Sequence, residues 1–169
     1  MSDERARPPK IADERTQLLG WLDLQRALIP WKCEGLAEDA GRLAPVPSSP
    51  LLSLAGLVSH LRWVEHCWFE VIFLGRSHEV NPQFRDPDDG DWTPGDDVPL
   101  AQLVAEYEAQ CAVSNEIVAA HGLDDVAVHP DFGGMTLRWI LLHMLEETGR
   151  HAGHADVVRE LVDGTKGYW

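Results

Sequence analysis

Four stretches of the chain repeat apolar residues at three- and four-residue steps, and none shows a convincing strand pattern. Long amphipathic helices bury their stripes against one another, so the reading is all-α, with a four-helix bundle as the simplest closure. An orthogonal helical array satisfies the same pattern and stays open here. The first stretch runs from about Ala12 to Leu43, with Leu18, Leu19, Leu22, Leu28, Ile29 and Cys33 in period; Pro30 should kink or split it. Ser49 and Pro50 read as N-cap and first turn of the second helix, which reaches Phe73 and stops at Gly75. Pro99 opens the third, through Leu100, Leu103, Tyr107, Cys111 and Val118 to near Gly122. Thr136 caps the fourth, which runs to about Val162 with Gly164 as its stop.

Between the second and third helices, residues 76–97 hold three Pro, two Gly and six Asp, and no apolar period survives. This is a long loop, of the kind that serves as lid or partner contact or is plain solvated surface. Its acidic run, Asp86 to Asp97, lacks the spacing of a calcium-binding EF-hand. Residues 1–11 read as a flexible tail and 12–169 as one domain, a length that needs no metal or disulfide merely to fold.

Charge narrows the partners. Fourteen basic against 28 acidic residues leave a net −14. With no basic stripe to offset the repulsion, nucleic acid is excluded as a partner. The apolar stretch 51–74 carries His60, Arg62, Glu65, His66 and Glu70, too many polar groups for a membrane span. The first fifteen residues contain no apolar export segment, so the expected location is the cytoplasm. Cys33, Cys67 and Cys111 are odd in number and widely spaced, as reduced, buried thiols would be.

The fourth helix carries the chemistry. Its stripe passes through Leu137, Ile140, Leu141 and Met144 and resumes at Ala155, Val158 and Leu161, but between them fall Glu147, His151 and His154. A carboxylate on such a line needs a donor, a cation or a metal. Glu147 and His151, four apart, can reach one ion from one face. On the second helix His60 interrupts the stripe Leu57, Val64, Cys67. Each signal alone also fits a bland account: a satisfied core histidine for His60, an ion pair with Arg150 for Glu147. Together they make three ligands with a coordination position left open, as a catalytic ion requires.

The segments LVSHLRWVEHCWF and LRWILLHMLEETGRHAGHADVVRE, with the opening RTQLLGWLDLQRALIPWKCEGL, resemble the signature stretches of the DinB-like superfamily. They are most similar to its actinobacterial branch near the mycothiol-dependent enzymes, and the resemblance covers nearly the whole chain. It implies an up-down-down-up four-helix bundle holding a divalent metal on three residues that are commonly all His; by ligand chemistry, two His and a carboxylate accept zinc, nickel, iron or cobalt, zinc or nickel first. Those positions here are His60, Glu147 and His151; a Glu at the second departs from three His but is similar to the maleylpyruvate isomerase relatives. The resemblance further implies mycothiol or another low-molecular-weight thiol as cosubstrate. The activity it implies is thiol S-transfer to a small electrophile, or a thiol-dependent isomerisation. A non-catalytic metal- or ligand-binding bundle of a stress response and a metal-dependent hydrolase remain the rival readings.

His154 is placed as a contact supporting His151 or touching substrate, with a fourth ligand and helix-face packing as the alternatives, and His143, four before Glu147, as an alternative ligand. Glu146 should be solvated, and His66 should point elsewhere, to surface or packing. Arg62 and Arg138 read as surface ion pairs or as contacts to an anionic substrate. Trp92, inside the acidic loop, either covers a ligand or packs. A homodimer is expected, because two-fold pairing is the commonest assembly.

Overall fold

The computed structural model describes residues 7–132 and 134–167. The expected tail 1–11 therefore lies partly outside the described residues, as do Tyr168 and Trp169. Among the described residues all regular elements are helical, and the one β contact is an isolated bridge between Val126 and Thr136. The all-α expectation is borne out.

Helix α1 spans Glu14–Cys33, started by Asp13, whose carboxylate accepts from the Thr16 backbone N–H at 2.9 Å. Pro30 does not split it. The helix carries through the proline to Cys33, and the chain turns at Gly35 with φ +68°, a conformation that favours glycine. The stretch expected to run on to Leu43 instead forms a separate turn of helix, α2, Glu38–Gly41. Its Glu38 carboxylate accepts from the Leu100 N–H, at 2.9 and 3.0 Å, and so caps a distant helix, α4, Leu100–Ala120.

The second long helix begins later than Ser49–Pro50. Ser49 N–H is taken by the carbonyl of Val46 in a turn, and it is Ser53 whose hydroxyl accepts from Gly56 N–H at 3.0 Å and opens α3, Leu54–Glu65. The chain continues from α3 into the π-helical turns His66–Phe73. There the wider winding keeps Cys67, Phe69, Val71, Ile72 and Phe73 buried. The carbonyls of Ile72 and Phe73 at its end accept from His129 and Val128 at 3.2 and 3.1 Å. Helix α5, Leu137–Asp163, has the foreseen ends: Thr136 Oγ1 accepts from Trp139 N–H, and Gly164 closes it at φ +77°.

α1 lies along α5 and α3 along α4, with further contacts between α3 and α5 and between α1 and α4. One core cluster joins Leu28, Ile29, Leu57, Leu61, Leu103, Tyr107 and Val158; another joins Leu22, Phe69, Ile72, Val118, Ile140 and Met144. Buried amid these helices is an ion pair that sequence reading did not single out. Arg26 of α1 grips Glu65 of α3 through two bonds, Nε to Oε1 at 2.8 Å and Nη2 to Oε2 at 2.7 Å. No helix is long and apolar enough to cross a membrane among the described residues.

Candidate metal centre

α3 and α5 bring His60, Glu147 and His151 together. Glu147 Oε1 lies 3.2 Å from Nε2 of His60 and 3.2 Å from Nε2 of His151, and the three donor atoms all fall within 4.8 Å of one another. His60 and His151 are buried, at 8% and 7% exposure, while Glu147 is half-buried. The contact between α3 and α5 makes the meeting possible, because it sets the polar gap in one apolar stripe opposite the gap in the other.

The donor set suits a divalent ion. Ligands about 2.05 Å from a tetrahedral ion stand about 3.3 Å apart, which two of the three separations match. The free ring edges also point the right way. Asp91 Oδ2 lies 2.7 Å from Nδ1 of His60, so a proton on Nδ1 leaves the Nε2 lone pair facing Glu147. Trp92 stacks on His60, centroids 4.1 Å apart and planes 17° apart, and meets His151 edge-on at 5.4 Å.

The titration of these groups reflects their crowding. Burial works against a charged His60, but hydrogen bonds to Asp91 and Glu147 outweigh it and hold its pKa above the ordinary imidazole value. Glu147 is driven far below the usual carboxylate range by hydrogen bonds from His151 and His60, against the opposing effect of burial. His154 is pushed down by burial and by the nearby charges of His151 and Arg150.

A family model described as mycothiol-S-transferase matches residues 17–164. The chain belongs to the mycothiol-S-transferase family. No curated protein and no solved structure matches it. The family membership bears out the DinB-like resemblance read from the two helix segments.

Within this mycothiol-S-transferase family member, the other sequence candidates fall into place around the cluster or away from it. His154 is partly exposed, its Nδ1 3.3 Å from Nδ1 of His151. His143 turns away from Glu147 and packs against Trp68 and Trp139, with centroids 4.4 and 5.4 Å apart. Glu146 is exposed and pairs with Arg150, whose other nitrogen is 3.5 Å from Glu147 Oε2. Arg62 bonds Glu106 at 2.5 Å, and Arg138 pairs with Glu14 and Asp124. His66 is buried rather than on the surface, beside Asn81.

Burial raises the thiols, Cys33 to about 12 and Cys67 to about 11, and Cys111 also rises. No described cysteine is therefore an activated nucleophile. Asp91 is the residue that sequence reading missed. It is one of six Asp in a segment without period, and nothing in its spacing separates it from its exposed neighbours.

Proposed function

We propose that this chain is a divalent-metal-dependent thiol S-transferase. It would join a mycothiol-type thiol to a small electrophile, and His60, Glu147 and His151 hold the ion. The observation that carries this reading is the equal 3.2 Å approach of Glu147 Oε1 to the two imidazole Nε2 atoms, in a chain of the mycothiol-S-transferase family. In this reading residues 12–169 are one DinB-like four-helix bundle, the protein works in the cytoplasm where such thiols are kept reduced, and zinc or nickel is the ion.

When bound, the ion supplies a Lewis acid that lowers the pKa of a coordinating thiol. The protein's own groups do the rest. Glu147 offers a carboxylate held well below its usual range, and His60 and His151 each turn a ring nitrogen toward it. Three protein donors leave room for the cosubstrate. Trp92 walls one side of the cluster and keeps water from His60. His154, half-exposed beside His151, stands where an incoming thiol or electrophile would touch. The nucleophile must come from outside, because the chain's three thiols are buried and protonated.

The experiment pairs metal content with turnover. Protein purified without an affinity tag is expected to carry about one divalent ion per chain, and His60→Ala and His151→Ala none. The wild type should consume thiol and electrophile together, with the variants inactive. Turnover without thiol that is lost in His151→Ala would favour a hydrolase; an ion bound without turnover would leave a binding module.

A further inference from the structure

Segment 76–97 is fastened to α3 at two places. At one end Asn81, fully buried, donates from its side-chain amide to the carbonyl of Trp63 at 3.1 Å and faces Nδ1 of His66 at 3.3 Å. At the other, Asp91 reaches His60 and the Trp92 ring lies on it. The close approach there depends on Gly56, one turn before His60 on the same face of α3. A Cβ on Gly56 would stand 3.1 Å from the carbonyl oxygen of Trp92 and 2.6 Å from that of Leu51. Between these anchors the chain is tied by Gly90 N–H to Asp86 O at 2.9 Å and by Trp92 N–H to Asp89 O at 3.0 Å.

Asp91 is the buried carboxylate of this acidic stretch. Five of its six Asp are exposed, whereas Asp91 is 2% exposed and spends its carboxylate on one ring nitrogen 31 residues away. Burying a carboxylate is costly unless the contact it makes is worth that cost. The geometry at His60 is also unequal. The ring stands 2.7 Å from Asp91 on its Nδ1 side and 3.2 Å from Glu147 on its Nε2 side. A neutral ring has one proton to place, and the shorter contact takes it.

We propose that Asp91 is the positioning residue of the site: it holds the proton of His60 on Nδ1, so that the Nε2 lone pair is presented to the ion, while Trp92 fixes the plane of the ring. This rests on the reading of His60, Glu147 and His151 as ion ligands. A histidine ligand whose second nitrogen is held by a carboxylate is pre-set in tautomer and orientation, and losing such a partner weakens metal binding by about 10–100-fold. The acidic segment is therefore part of the site, and its other carboxylates are not.

The test compares wild type, Asp91→Ala, Asp91→Asn and Asp88→Asn. Zinc affinity is measured by competition with a chromophoric chelator. The His60 tautomer is read in metal-free protein from long-range proton–nitrogen NMR correlations, at a pH where the ring is neutral, with His60→Gln giving the assignment. Wild-type His60 should carry its proton on Nδ1. Asp91→Ala should lose that preference and bind zinc about 10–100-fold more weakly. Asp91→Asn keeps the shape and an acceptor oxygen, guards against a collapsed segment, and should fall between. Asp88→Asn removes the same charge from an exposed position and should stay within about twofold of wild type, as distant screened charges do. The proposal is overturned if Asp91→Ala binds zinc as wild type does, if wild-type His60 is protonated on Nε2, or if Asp88→Asn loses as much as Asp91→Asn. Failure of the wild type to take up zinc at all overturns the ligand reading, and the role of Asp91 with it. Uptake with an unaffected Asp91→Ala overturns the role of Asp91 alone.

Discussion

Arg26 and Glu65 offer the largest stability effect outside the site. Glu65 is fully buried, and its two oxygens are held by one guanidinium. Arg26 has more support: its Nη1 also reaches Asn115 Oδ1 at 2.7 Å and the half-exposed Asp23 at 3.0 Å. Removing the cation strands a carboxylate in an apolar interior, and removing one member of a buried pair costs about 3–5 kcal/mol. At about 2–4 °C of Tm per kcal/mol for a chain of this size, Arg26→Met should lower Tm by about 6–20 °C. Glu65→Leu leaves Arg26 with Asn115 and Asp23 and should fall at the lower end of that range. The double variant Arg26→Met/Glu65→Leu removes both charges and should recover most of the loss, because a well-packed apolar pair replaces a buried ion pair at little net cost. Urea unfolding of chelator-treated protein measures all four forms free of ligand linkage. A loss under about 1 kcal/mol for Arg26→Met, the size expected of a surface pair, would refute the reasoning. So would a double variant whose loss equals the sum of the singles.

Two further predictions concern protons. With Cys33 held at about 12 and Cys67 at about 11, their thiols stay protonated at about pH 8. Iodoacetamide should therefore label the folded chain at least about a hundredfold more slowly than the urea-unfolded chain, read by intact mass. Fast labelling of either cysteine in folded protein contradicts the burial argument. The folded pKa of His60 is raised above its unfolded value of about 6.5. Its stabilising contribution is thus complete below about pH 6.5 and lost as pH rises through the raised folded value. Thermal melts of metal-free wild type should fall relative to His60→Gln across that window, and a constant difference between the two would count against it.

The ends of α4 and α5 were legible because their signals are local: Pro99, Thr136 and Gly164 stop or start a helix whatever lies nearby. The start of α3 was misread for the same reason. Ser49–Pro50 and Ser53 are both sound caps, and the choice between them was made by turns at Val46 to Ser53 that no local signal ranks. α2 escaped notice because its four residues serve a tertiary purpose, capping α4 from 62 residues away. The polar gaps at His60, Glu147 and His151 were visible as breaks in apolar stripes. Arg26 breaks the line Leu22, Ile29, Cys33, and Glu65 breaks Leu54, Val58, Leu61, by the same rule. Those breaks were in the sequence, but that they meet each other is set by the packing of α1 against α3. Asp91 left none, since it reaches His60 only through the course of an aperiodic segment.

The two polar clusters of the interior differ in a way that bears on function. In the first, the buried Glu65 has both oxygens held by the Arg26 guanidinium, whose remaining nitrogen goes to Asn115 and to the half-exposed Asp23, so no buried donor or acceptor of the pair is left over. The cluster at His60 does not balance. Glu147 and Asp91 bring two carboxylates against two imidazoles, and the nearest guanidinium, that of the exposed Arg150, stands 3.5 Å from Glu147 and shares itself with Glu146. Metal-free, the cluster makes up the deficit with protons, which is why His60 is raised and Glu147 depressed. A divalent cation would supply the same charge without a proton and meet the inward-facing nitrogen and oxygen donors directly. A polar core built only for stability would resemble the first cluster; an acceptor-rich one whose donors lie within 4.8 Å of one another could hold a cation.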